Sequence, residues 1–301
     1  MRANVVFASD RVFVEHLAVA LCSLFKCNSN LSLNVYVFNT DIDEASWSRL
    51  SELAERYGQS LIDMKILDCE LADIFISGTY YTKTTYYRLL IPEKLSFDKV
   101  LYLDSDIVVN GSIEDLYNTD IDQCYLAAVA DAVPNPHKDL GMSEGSKYFN
   151  CGVMLLNLPK WREDRIKERV IDLIRNKPWV IRFPDQCGIN SIVDGRWKEL
   201  HPKYNAQTIF FQVKFEHTRS DLYPAGQLRE GIDNPVIIHY TGKQKPWHLG
   251  YKHRFRKLYW RYLRDTPFSR NSRAELRLVN FLILCVRKLN KEVKKRMPHQ
   301  P

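Results

Sequence analysis

The sequence predicts an α/β sandwich with a mostly parallel central sheet, and three observations carry that prediction. Short β-branched runs alternate with segments of helical period through the first 160 residues. One apolar run ends in a pair of aspartates, the position at which open α/β sheets present their ligands. The composition is that of a globular chain, 45% hydrophobic and 26% charged, without a low-complexity tract.

The elements follow in order. Residues 4–8 (NVVFA) read as a buried strand, residues 13–26 (FVEHLAVALCSLFK) as a helix, and residues 33–38 (LNVYVF) as a second strand. Trp47, Leu50, Ala54 and Tyr57 then recur at three- and four-residue steps before Gly58, the pattern of an amphipathic helix stopped by glycine. Residues 61–67 form a further strand, and a helical segment at 86–90 leads into residues 99–103 (KVLYL). Residues 125–129 and 153–157 read as later strands. Residues 161–177 read as one helix with Ile166, Val170 and Leu173 on a single face. There is no internal repeat and no long linker. The one break in composition lies near 247–252, so the expected division is a body over residues 1–250 and a basic, helical, aromatic tail over 251–301.

Several classes of protein are set aside by the same reading. No run reaches the roughly 18 apolar residues of a membrane span. The start, MRANVVFASD, has no charged region followed by an apolar run and a cleavage site, so no secretory signal is expected. The seven cysteines are odd in number and scattered, with no C-x-x-C pair, which suits ordinary buried thiols in a reducing cytoplasm. The net charge of +7 is unevenly divided: residues 251–301 hold 15 Lys or Arg against 3 Asp or Glu, while residues 1–250 hold 28 against 33. The body is mildly acidic and the tail strongly basic. No recognition motif accompanies that charge, so a nucleic-acid partner is not expected.

The chemistry concentrates in two clusters. Strand 99–103 ends in Asp104-Ser105-Asp106. In extended geometry residues i and i+2 point to the same side, so Asp104 and Asp106 can offer two carboxylates to one hard cation. The second cluster is HYTGKQKPWH at 239–248, after the apolar run PVII. There Gly242 lets the backbone approach a phosphate, and Lys245 can supply a cation to it. An imidazole from His239 beside two carboxylates favours Mn²⁺, with Mg²⁺ as the alternative.

With both clusters in hand, the chain resembles glycosyltransferase family 8, in particular its bacterial lipopolysaccharide galactosyl- and glucosyltransferases. The resemblance runs in order through VVFASD, TTYYRL at 84–89, KVLYLDSDIVV at 99–109 and GSIEDLY at 111–117. It continues through YFNCGVMLLNLPKW at 148–161, PDQ at 184–186 and HYTGKQKPW at 239–247. The family implies a GT-A fold, a UDP-sugar donor with a divalent cation, and transfer with retention of anomeric configuration. Carried across, Asp104, Asp106 and His239 resemble the metal ligands, Gly242 and Lys245 the diphosphate contacts, and Ala8 and Asp10 the uracil-binding positions. Ser105 lies between the two aspartates on the donor side. Arg88, Asp131, Asn150, Asp185 and Gln186 match positions that hold the donor sugar or line the reaction centre. Two positions depart from the family pattern: Val12 stands where a polar residue is usual, and Cys187 replaces the second Asp of Asp-Gln-Asp.

Retention through a covalent intermediate needs a carboxylate nucleophile. The resemblance puts the amide of Gln186 near the relevant face, so front-face substitution is expected, with Gln186 stabilising oxocarbenium-like charge and Asp131 and Asp185 beside it. The acceptor implied is a lipopolysaccharide core or another surface or lipid-linked glycan, held by loops around 132–147 and 205–232. In the tail, the nine-residue apolar run 278–286 is followed by six cations. That pattern suits peripheral attachment to the anionic inner face of the cell membrane. Two rival readings remain. One is a haloacid-dehalogenase-like phosphohydrolase using Asp104, through the pattern D-x-D-x-[TV]. The other is a catalytically silent glycan-binding protein of the same fold.

Overall fold

The computed structural model describes residues 1–67, 83–132, 137–212, 222–224 and 226–269. The apolar run 278–286 and its basic flank lie outside the described residues, as do parts of both expected acceptor loops.

The amino-terminal half builds β1 (Arg2–Ala8), α1 (Val14–Cys27), β2 (Ser32–Asn39), α2 (Glu44–Arg56) and β3 (Ser60–Lys65). A 3-10 segment, Lys83–Leu90, and the short α3 (Ile91–Lys94) lead to β4 (Lys99–Leu103) and β5 (Ile107–Val109). There follow α4 (Glu114–Tyr117), β6 (Leu126–Ala130), α5 (His137–Leu140), β7 (Phe149–Asn157), α6 (Leu158–Glu163), α7 (Ile166–Asn176) and α8 (Pro184–Val193). The two-residue strands β8 (Lys198–Glu199) and β9 (Ala206–Gln207), α9 (Gln227–Asp233), β10 (Ile237–His239) and α10 (Arg256–Arg264) complete the described chain.

The main sheet has the order β3-β2-β1-β4-β7-β6-β8. Strands β1 to β4 pair in parallel, as do β6 and β8, and only β7 opposes its neighbours. The mostly parallel α/β sheet is thus as expected. A second, small sheet has the order β5-β10-β9. Helix α1 explains how the two are joined. Every residue from Leu17 to Phe25 is buried, because the helix packs against β5 on one side and α10 on another. A helix covered on several sides is apolar nearly all round.

Three expectations change in detail. The expected helix over 161–177 is two helices. Asn157 caps α6 by accepting from the Lys160 amide, and the chain breaks at Arg165, which adopts a left-handed conformation (φ 50°) before α7 starts. The buried face of α7 is Ile166, Val170 and Ile174, while Leu173 is only half-buried. The helical segment at 86–90 is part of the 3-10 segment.

The described part of the tail does not stand apart. Tyr259, Tyr262, Leu263 and Phe268 join the same buried cluster as β1, β2 and α1. Among the described residues, no helix is long and apolar enough to cross a membrane.

Candidate active site

The site forms where the two sheets meet. Strand β4 lies mid-sheet between β1 and β7, and its chain leaves the main sheet through a turn at 104–106 to enter β5 of the small sheet. The two aspartates therefore converge through a turn and not through extended geometry. Antiparallel pairing of β10 with β5 then sets His239 opposite Ile107, next to Asp106. The backbone amide of Tyr240 donates to the Asp106 carbonyl at 3.1 Å and closes that junction.

Each aspartate spends one oxygen on protein donors and turns the other to a shared point. Asp104 Oδ1 accepts from Arg88 at 2.9 Å and from the Tyr102 hydroxyl at 2.8 Å. Its Oδ2 lies 3.6 Å from His239 Nε2. Asp106 Oδ2 takes the Lys245 ammonium, and Oδ1 lies 3.2 Å from the same imidazole nitrogen. The three candidate ligand atoms lie within 4.8 Å of one another. Two hard carboxylate oxygens and one imidazole nitrogen fit a divalent cation such as Mn²⁺. Burial pushes the Asp106 carboxyl upward, but Lys245 and His239 overcome it and hold the group well below the usual carboxylate range.

Room for this cluster comes from Gly152 in β7. A Cβ there would meet His239 Cε1 at 2.1 Å and Asp104 Oδ2 at 2.7 Å, while the Gly152 carbonyl accepts from the Asp104 amide at 2.8 Å. A glycine inside a strand pattern is the sequence signal for such an approach, and Gly152 carries that signal within YFNCGVMLLNLPKW.

All thirteen residues singled out from the sequence line one cleft of about 730 Å³. At one end lie Ala8 and Asp10, whose carboxylate accepts from the Phe13 amide at 2.9 Å. Ser105 turns its hydroxyl to the Ala8 carbonyl (3.0 Å), pinning β1 to the acidic turn. Val12 is 78% exposed at this rim. Gly242 lines the cleft in the left-handed region (φ +87°), a conformation that favours glycine. Lys245 is buried and also donates to the Tyr240 carbonyl at 2.7 Å. Trp247 fixes this loop to α1 by stacking on His16, with ring centroids 3.5 Å apart, and His16 in turn meets the Tyr259 hydroxyl of α10 at 2.7 Å. Neither His16 nor Tyr259 was expected from sequence.

At the other end Arg88 bridges two carboxylates. Its Nε lies 2.9 Å from Asp185 Oδ2, and its other nitrogens reach Asp104 and the Cys151 carbonyl. Burial raises the Asp185 carboxyl to about 6, with Arg88 opposing and Asp104 adding to the rise. Gln186 is held at both ends of its amide: Oε1 accepts from the Cys151 backbone at 3.0 Å, and Nε2 donates to Asp131 Oδ2 at 2.9 Å. Asn150 donates to the same oxygen at 3.2 Å. Cys187 faces away from the reaction centre, with its sulfur between the Phe183 amide and the Tyr148 hydroxyl.

A family model described as Glycosyl transferase family 8 matches residues 4–249. General stress protein A of Bacillus subtilis is 30% identical over 273 residues, covering 88% of this chain and 94% of that protein. A lipopolysaccharide 1,2-glucosyltransferase of Escherichia coli is 30% identical over 253 residues, covering 81% of this chain and 73% of the relative. Three Streptococcus pneumoniae relatives named glycosyltransferases are longer, and the chain spans 60%, 61% and 63% of their length. The galactosyltransferase LgtC, solved in complex with donor and acceptor sugar analogs, superposes with a TM-score of 0.79 at 25% identity, covering 88% of this chain and 96% of that one. LgtC has the GT-A fold, and the present chain shares it.

Proposed function

The chain belongs to glycosyl transferase family 8, and from that premise we propose that it moves a hexose, galactose or glucose, from a UDP-sugar to a lipopolysaccharide or related surface-glycan acceptor, with Mn²⁺ and with retention. The observation that carries this reading is the convergence of Asp104, Asp106 and His239 within 4.8 Å. Their positions 104–106 and 239 are far apart in the chain, and a buried ammonium from Lys245 sits on the same cluster. The relatives named for glucosyl and galactosyl transfer support the hexose and the acceptor class.

In this reading Asp104, Asp106 and His239 hold the cation, which offsets the charge developing on the nucleoside diphosphate as it leaves. Gly242 and Lys245 take the diphosphate, Ala8 and Asp10 the uracil, and Ser105 keeps that end in register with the acidic turn. Arg88 fixes Asp104 and Asp185 relative to each other, which orients the sugar end. Asp131 already accepts two amide hydrogen bonds, and Gln186 is bonded at both ends. Those commitments favour electrostatic stabilisation over nucleophilic attack. The acceptor hydroxyl then attacks from the side the diphosphate leaves, and a leaving-group oxygen takes its proton. A glycosyl-enzyme adduct on Asp185 or Asp131, seen by mass spectrometry, would contradict this step.

A panel of UDP-sugars tests the whole reading. UDP is expected from UDP-galactose or UDP-glucose only with Mn²⁺, and Asp106→Asn should slow release on the order of 100-fold. Release of inorganic phosphate, or cation-independent release of UDP, would sink it. The basic tail is proposed to hold the protein against anionic lipid at the cytoplasmic face. Deletion of 270–301 should then release it from anionic vesicles, and unchanged binding would end that part of the reading.

A further inference from the structure

Asn205 is fully buried and belongs to none of the motifs above. It closes a 3-10 turn, Pro202–Asn205, and the next two residues form β9, which pairs in parallel with β10 so that Gln207 lies opposite His239. That register carries the Asn205 side chain to the far side of the imidazole from the acidic cluster. Its Oδ1 lies 2.9 Å from His239 Nδ1, and its Nδ2 lies 2.9 Å from Asn150 Oδ1.

Side-chain amides and imidazoles can be turned over without changing their shape, so their polarity must be read from a group whose identity is fixed. The Gly152 backbone amide is such a group. It donates to Asn150 Oδ1 at 3.0 Å, so that atom is an acceptor, and the Asn205 atom facing it must be the NH₂. The Asn205 oxygen therefore faces His239 Nδ1, which must carry the hydrogen. Nε2, the nitrogen that faces Asp104 and Asp106, is thereby the one left to serve a cation. The chain continues the other way through Asn150 Nδ2 to Asp131. A second backbone amide, from Cys151, fixes Gln186 in the same manner.

The geometry points to Asn205 as a positioning residue: it accepts the Nδ1 hydrogen of His239, locks the ring with Nε2 toward the acidic pair, and ties that ring through Asn150 to Asp131. Such partners behind a metal-binding histidine set its tautomer and orientation. The inference rests on the cation site proposed above.

Two measurements separate its failure from failure of that site. In long-range proton–nitrogen NMR spectra, His239, assigned by its loss in His239→Ala, should show a hydrogen on Nδ1 held in a hydrogen bond. Asn205→Leu should lose the shift of that bonded Nδ1 hydrogen, and Asn205→Asp, which keeps an acceptor oxygen, should retain it. An Nδ1 without hydrogen in the native protein, or an unchanged Asn205→Leu spectrum, would overturn the inference whatever the cation does. Mn²⁺ affinity in the presence of UDP, read from the paramagnetic resonance of free Mn²⁺, should fall about 10- to 100-fold in Asn205→Leu. Asn205→Asp should bind Mn²⁺ as the native protein does but lower kcat, because its link to Asn150 is cut. Native affinity in Asn205→Leu would also refute the inference, whereas absence of Mn²⁺ binding in the native protein would refute the cation site instead. Asn205→Ala serves the same tests if the leucine variant does not fold.

Discussion

Gly152 stands where any other side chain would collide with the cluster it supports. Its missing Cβ is 2.1 Å from His239 and 2.7 Å from Asp104, and both neighbours are held from behind, one by Asn205 and the other by Arg88 and Tyr102. Gly152→Ala should therefore abolish cation-dependent UDP release at a cost of about 1–3 kcal/mol in stability, as overpacking does. Paired activity and urea-melt measurements would show the opposite if the site can move aside. Asp185 gives a pH signature. Its carboxyl is raised to about 6 from 3.8, so folding favours the protonated form. That contribution to stability is complete below pH 3.8 and is lost as pH rises through about 6. Activity should run the other way, because the ionised group pairs with Arg88: kcat/KM should fall as pH drops through about 6, and Asp185→Asn should remove that limb. At this scale the sequence was informative wherever a residue type announces its chemistry, as Asp104, Asp106, His239 and Lys245 do. Asn205 gave no such signal, since its role exists only after β9 has paired with β10.

Among the elements, the alternation of β-branched runs and helical periods was enough to locate β1, α1, β2, α2 and β4, because each buries one clear face or both. The small sheet was not legible. Its strands have three, three and two residues, too short for any period, and their register is set by partners more than thirty residues away. The aspartate pair was singled out on an argument from extended geometry that the turn at 104–106 does not obey, and it is the turn that brings both carboxylates beside His239. The break between α6 and α7 went unseen because Arg165 has no intrinsic preference for a left-handed backbone. The start of α6 is testable. Asn157 caps it through the Lys160 amide and also donates to the Ile121 carbonyl at 3.0 Å. Asn157→Ala should lower stability by about 1–2 kcal/mol, seen as a reduced denaturant midpoint, with the affinity for UDP unchanged.

For the molecule as a whole, the compositional break near 250 does not coincide with the edge of the core. Tyr259, Tyr262, Leu263 and Phe268 are buried against α1 and its neighbours, and Tyr259 also steadies His16 behind Trp247. A chain ending at residue 250 should be several kcal/mol less stable than one ending at 269, since each large buried side chain removed costs about 2–5 kcal/mol. Equal melting of the two truncated chains would show that α10 is dispensable to the fold. Charge pattern marked this segment as distinct, and only packing shows how much of it the body keeps.

Asp104 directly follows a strand of the large sheet, whereas His239 ends a strand of the small one. An ion shared by the two would act as a rivet, and heating would have to draw it before the layers could part. Resistance to heat would then count bound ions: in saturating UDP, raising Mn²⁺ to a hundred times its dissociation constant should add about 2.7 kcal/mol, and a thermal-shift titration would reveal occupancy even where no sugar is transferred.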